Sequence, residues 1–196
     1  MAGVGAYPGS FNPPTVAHLA IAEAARRHAG LDRVVLIVSR SPLGKEQADG
    51  PLLEDRLAVL AALTATRPWL GVEVTDARLI ADVAEGYDVV ITGADKWAQV
   101  IDPAWYGGSV AARDAAVARL PRVLVVPRDP FVVTDVEWLD VGSDHLAVSS
   151  TAVRAGRRDW MAPEAAAFDA ATGAWSDPAR YARWRSSLAD AGHGGG

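Results

Sequence analysis

The sequence predicts an α/β fold, a parallel sheet flanked by helices with a small helical part at the C-terminal end, and three observations point there. Short runs rich in Val and Ile recur at residues 3–7, 33–38, 72–75, 88–92 and 122–126, and their apolar character is continuous rather than alternating. Runs of that kind suit strands covered on both faces. Segments with helical spacing fall between them, at 15–29, 53–66, 78–84 and 109–119. Strand alternating with helix is the pattern of a parallel sheet with crossover helices. In such sheets ligands sit beyond the carboxyl ends of the strands, so functional residues are expected in the loops that follow strands.

The first strand runs into Pro8-Gly9-Ser10-Phe11-Asn12-Pro13-Pro14 and then into a helix opening near Thr15. The second leads to a polar stretch, 39–50, that holds Lys45. The strand at 88–92 closes on Thr92-Gly93-Ala94-Asp95. After Arg128 the pattern is irregular until Ser149-Ser150-Thr151, which reads as a cap opening a short helix through Arg154. Beyond Ala162-Pro163 the chain reads as helical segments interrupted at Gly173 and Pro178, with a Gly-rich end at 193–196 expected to fray. No internal repeat or low-complexity linker interrupts this order.

The 196 residues, half of them apolar and 22% charged, are enough for one sizeable core but short for two. A formal charge of -5 argues against an electrostatically driven nucleic-acid binder, while leaving room for a local positive pocket. With no cysteine, disulfides, thiolate metal sites and thiol nucleophiles are excluded, and a cytoplasmic location is the simplest expectation. No apolar run approaches the roughly 20 residues that span a bilayer, and the first residues lack a basic flank and an apolar signal region. Neither a membrane nor a nucleic acid is expected as a partner; a homo-oligomer is compatible with the composition. Lysine is scarce: Lys45 and Lys96 are the only two among 19 basic residues.

Chemistry concentrates in two places. In the first loop Gly9 permits close backbone approach, the prolines stiffen the exit, and the following helix offers unpaired N–H groups and a positive dipole end, all of which favour a phosphate. Thr15 and His18, at i and i+3, share one face near that terminus. Taken alone, the same residues read equally well as a Gly-Pro turn with a capping Thr and a surface His. Ser149-Ser150-Thr151-Ala152-Val153-Arg154 places hydroxyls at another helix start with a guanidinium about one turn inside, donors suited to the outer phosphates of a nucleotide. By itself it is also an ordinary N-cap followed by a surface Arg.

Together the two segments resemble the nucleotidyltransferase superfamily, whose Rossmann-like core is shared with class I aminoacyl-tRNA synthetases. The first motif stands as Gly9-Ser10-Phe11-Asn12-Pro13 with Thr15-Val16-Ala17-His18-Leu19, and the late motif as Val148-Ser149-Ser150-Thr151-Ala152-Val153-Arg154. The departures are Thr15, where many members have a first His, and Ala17, where many have Gly. Within the superfamily, Ile91-Thr92-Gly93-Ala94-Asp95 is similar to the Gly-Ala-Asp segment of nicotinate and nicotinamide mononucleotide adenylyltransferases. Trp105-Tyr106 falls near their Trp-Tyr pair, Val125-Val126-Pro127-Arg128 where they end a strand in Arg, and Ala162-Pro163-Glu164 to Gly173-Ala174-Trp175 resembles their closing helix. The resemblance covers about residues 3–175, which divides the chain into a nucleotidyltransferase domain at 1–175 and a C-terminal helical extension with a flexible tail at 176–196.

The resemblance implies transfer of AMP from ATP to the phosphate of a pyridine mononucleotide, with release of pyrophosphate, as in NAD biosynthesis. His18 would bond the α-phosphate with Thr15 beside it, and Lys45 would bridge the acceptor phosphate and the developing charge. Ser149, Ser150, Thr151 and Arg154 would hold the β- and γ-phosphates, and Gly93 and Asp95 the ribose, with Gly9, Ser10, Phe11 and Arg128 completing the ATP site. Asn12, Lys45, Trp97 and Trp105 would face the acceptor. Either indole could stack on a positively charged pyridine ring or simply pack in the core. Magnesium would be held mainly through the substrate phosphates and water, with no protein ligand assigned. Three alternatives stay open. Tyr7-Pro8-Gly9-Ser10-Phe11 and Leu53-Glu54-Asp55-Arg56-Leu57 are similar to phosphopantetheine adenylyltransferase, a transferase using CTP shares the same motifs, and Thr15 with Ala17 leaves a non-catalytic nucleotide-binding protein.

Overall fold

The computed structural model describes residues 3–40 and 50–193, with side chains through Asp190. Six parallel strands form one sheet in the order β3-β2-β1-β4-β5-β6, with β1 Val4–Pro8, β2 Arg33–Ser39, β3 Leu70–Thr75, β4 Val89–Gly93, β5 Arg122–Val126 and β6 Glu137–Trp138. The chain winds outward from β1 to β3, then returns to the other side of β1 for β4. The carboxyl ends of the strands beside that reversal are where a Rossmann-like fold takes its ligands.

The continuous apolarity of the strands has the expected cause. In β2, Val34, Leu36 and Val38 join a core with Ile21, Ala22 and Ala25 of α1 (Val16–Ala29) and Leu60 and Leu63 of α2 (Leu53–Ala65). Val35 and Ile37 point the other way, into a second core with Ala6, Val90 and Val83 of α3 (Ile80–Val83). Both faces are covered, so neither set of alternate positions can be polar. The small Ala face of α1 lets the helix lie close on the sheet, and the helix ends at Gly30, whose φ of +63° is the left-handed cap conformation that glycine adopts without penalty.

The structure corrects several predicted boundaries. The helix predicted at 78–84 is a single turn, and the third strand begins two residues earlier than its Val-rich run, at Leu70. Three elements escaped the sequence reading: α4 (Ala94–Val100), α6 (Ser143–Leu146) and β6. Each is short, and β6 pairs with β5 through only two registered positions, too few to leave a periodic signal. The remaining helices are α5 (Val110–Val117), α7 (Ser150–Arg154), α8 (Pro163–Thr172) and α9 (Pro178–His193). Phe168 of α8 and Trp184 of α9 meet edge to face at 5.5 Å, which seats the last helix on α8.

Candidate active site

The loop after β1 is held by its carbonyl groups. Arg56 Nη1 donates to the Ser10 carbonyl (2.9 Å), an Arg154 guanidinium nitrogen to that of Asn12, Ser150 Oγ to that of Pro13 (2.7 Å), and the Ala162 N–H to that of Pro14 (3.0 Å). Four donors from α2, α7 and the segment before α8 thus fix one short loop. Phe11 is turned inward with φ +44°, and its buried ring meets Tyr7 and His18 edge on, at 5.6 and 5.0 Å. A Cβ at position 9 would lie 2.8 Å from that ring, so Gly9 is required by the buried Phe11.

Thr15 caps α1, and the pair chosen from its i, i+3 spacing forms a reciprocal box. The Thr15 N–H donates to His18 Nδ1 at 2.9 Å, while Thr15 Oγ1 lies 2.8 Å from the same nitrogen and 3.4 Å from the His18 N–H. Nδ1 is therefore an acceptor, and the ring proton sits on Nε2. Burial, reinforced by the Arg128 guanidinium, lowers the His18 pKa to about 3, so the imidazole is neutral. Thr15 itself is fully buried, and its hydroxyl touches His18 rather than the cleft. The departure from a first His thus leaves a residue that orients the second.

Arg128 closes the opposite side. Its Nη1 donates to the carbonyls of Leu146 (2.9 Å) and Val148 (3.1 Å), which ties the end of β5 to the segment entering α7. Its charge is felt at Tyr7 as well as His18, although burial dominates and pushes the Tyr7 phenol well above its usual range. Asp95, in the first turn of α4, folds its carboxylate back over Gly93, where a Cβ would collide with Oδ1. Ser149 caps α7 by accepting the Ala152 N–H at 3.1 Å, and Thr151 and Arg154 stand exposed beside it.

A cavity of about 120 Å³ opens from this loop across the ends of β1, β2 and β3. Pro8, Gly9 and Ser10 form one wall, and Arg78, Lys96 and Trp105 are among the residues opposite. Two of the residues expected to face the acceptor lie elsewhere. Trp97 packs in the core with Ala94, Val100 and Val125. Asn12 is 4% exposed, and its Oδ1 accepts the Trp175 indole N–H at 2.7 Å. Asn12→Ala is expected to lower stability by about 1–3 kcal/mol, the cost of a buried donor left unpaired, measurable by denaturant unfolding. Lys45 lies outside the described residues. The sequence reading passed over Arg78 and Lys96. Arg78 stands three residues past the end of β3, where the rule that sites sit after strands applies, but that loop lacks the Gly and Pro that mark the others.

A parallel sheet with a reversed winding order, and a tethered loop leading into a helix that presents a neutral imidazole, define a Rossmann-like nucleotidyltransferase. The Cytidylyltransferase-like family matches residues 6–156, and the chain belongs to it. A probable nicotinate-nucleotide adenylyltransferase of Salinibacter ruber is 31% identical over 182 residues, covering 83% of this chain and 91% of the relative. A second, from Gloeobacter violaceus, is 29% identical over 191 residues, covering 81% and 87%. Among solved structures, the Plasmodium falciparum nicotinic acid mononucleotide adenylyltransferase complexed with APC superposes with a TM-score of 0.65 over 89% of this chain and 98% of its own, at 11% identity, a likeness of fold.

Proposed function

We propose that the protein is a cytoplasmic enzyme that transfers AMP from ATP to the phosphate of nicotinic acid mononucleotide. The broader activity, adenylyl transfer to a pyridine mononucleotide, follows from the family and the relatives. The choice of the acid rests on the cleft, where Arg78 and Lys96 stand on the same wall system as Trp105. An indole suits a cationic pyridinium face, and a guanidinium or ammonium suits the ring's carboxylate, which an amide would not match. Arg78 is an exposed residue in the lining of the cleft, where its charge can meet a ligand.

In the reaction an acceptor phosphate oxygen forms a bond to the α-phosphorus of ATP, the bond from that phosphorus to the bridging oxygen breaks, and pyrophosphate leaves. His18 Nε2–H donates to an α-phosphate oxygen, and Thr15 keeps the ring in the tautomer able to do so. Arg154 and Thr151 face the outer phosphates, and Asp95 the ribose. Among the described residues no three His, Asp or Glu side chains converge as metal ligands. The donors at the cleft are guanidinium, hydroxyl and N–H groups, a set that fits magnesium carried on phosphate oxygens and water. When bound, it neutralises phosphate charge.

Pyrophosphate release tests the reading, with ATP or CTP offered alongside nicotinate mononucleotide, nicotinamide mononucleotide or phosphopantetheine. Release with ATP and nicotinate mononucleotide is expected; release with phosphopantetheine alone would overturn it. Arg78→Ala should lower kcat/KM for the acid about tenfold while leaving the amide within twofold, since a charge-assisted contact is lost for one acceptor only. Equal losses for both acceptors would remove Arg78 from carboxylate recognition.

A further inference from the structure

The last helix, α9, has no place in the chemistry above, yet it is bonded to the helix that holds the first loop. The N-cap of α2 is Leu52, a residue with no side-chain cap to offer. The cap comes from α9. Tyr181 Oη accepts the Leu52 N–H at 3.0 Å and donates to Asp55 Oδ2. Arg185 bonds Asp55 Oδ1 at 3.2 Å and also pairs with Glu54. Asp55 is buried, so two α9 side chains satisfy both oxygens of a carboxylate that would otherwise be stranded. The next residue, Arg56, is 9% exposed and reaches the Ser10 carbonyl. Its Nε has no hydrogen-bond partner among the described residues, so Nη1 is the guanidinium's anchor on the loop and the helix must be held where that contact is made.

We propose that α9 is a brace for the first loop, with Tyr181 as a positioning residue that acts through the first turn of α2 and Arg56 on Ser10. The inference rests on the reading that this loop holds nucleotide phosphates. It assigns the C-terminal extension a part in nucleotide binding, complementary to Trp175, which grips the same loop at Asn12 from the residue just before that extension.

Tyr181→Phe tests it, because the ring keeps its 5.8 Å stack on Trp184 and only the hydroxyl is removed. ATP affinity is measured by titration calorimetry without acceptor, alongside kcat and KM. The Kd for ATP should rise about tenfold, the scale of a lost hydrogen bond to a charged group. Arg56→Lys should weaken ATP to a similar extent, and the double variant should be no worse than either single one, because both break one chain of contacts. Arg180→Ala, whose guanidinium bonds the Ala170 and Ala171 carbonyls of α8, should leave the Kd unchanged. Wild-type ATP affinity in Tyr181→Phe, or losses that add in the double variant, would overturn the brace. A wild-type protein that binds ATP but adenylylates no pyridine mononucleotide would overturn the acceptor reading and leave this measurement valid.

Discussion

His18→Ala is expected to lower turnover by two to three orders of magnitude while the protein stays folded. The donor edge of the imidazole is preset by the backbone. With Nδ1 occupied by the Thr15 N–H at 2.9 Å, the proton can only be on Nε2. A donor fixed in advance toward charge that grows in the transition state commonly contributes about a hundredfold or more. The structural cost is separate, since the substitution removes one arm of the cap and the ring's edge contact with Phe11, roughly 1–3 kcal/mol in all. Stopped assays of pyrophosphate release, with unfolding curves on the same samples, separate the two. Wild-type turnover in His18→Ala would remove the imidazole from the reaction.

The same residue sets a pH dependence. Its pKa in the folded protein, about 3, lies below the ordinary 6.5, so between those values the unfolded chain binds the extra proton and the folded chain does not. Stability that is fully present above pH 6.5 therefore falls as the pH drops toward 3. His18→Asn should flatten that part of the stability profile. Because the ring stays neutral, turnover should show no loss from His18 protonation down to pH 5. A stability slope in that window that His18→Asn leaves unaltered would place the proton uptake elsewhere.

How much of this was legible in the sequence depended on whether a residue's partner was local. Thr15 and His18 are three apart, so helical geometry alone put them together. Gly9 could be marked as a close approach, but the object it approaches, the Phe11 ring, is set by a backbone turned to positive φ. The resemblance puts Asn12 and Trp97 on the acceptor side, and both are buried for reasons no local pattern carries: Trp175, the partner of Asn12, lies 163 positions away. Lys96 reads in the sequence as a solvated helix residue, because nothing local tells which face of α4 turns toward the cavity. The parallel sheet was readable because burial on both faces leaves an uninterrupted apolar run. The contacts of α9 with α2 were not, because they are made by polar atoms with no periodicity.

Arg154→Ala is expected to reduce kcat/KM about a hundredfold, and the reason differs from that for His18. The late motif and the first loop are 142 positions apart, and the guanidinium spans them by bonding the Asn12 carbonyl. A second nitrogen lies 3.4 Å from Thr151 Oγ1, so the fork is held in orientation at an exposed edge of the site, where outer phosphates can reach it. On the proposed function, removal takes away a phosphate donor and also loosens the loop that leads to His18, and the two losses should multiply. Arg154→Lys discriminates between charge and geometry. An ammonium restores the charge but cannot hold a carbonyl and a phosphate through separate, coplanar donors. It should therefore recover no more than about tenfold of the lost kcat/KM, with the KM for ATP still raised. Full recovery by lysine would mean that charge alone is required, and that the tether to Asn12 has no part in catalysis.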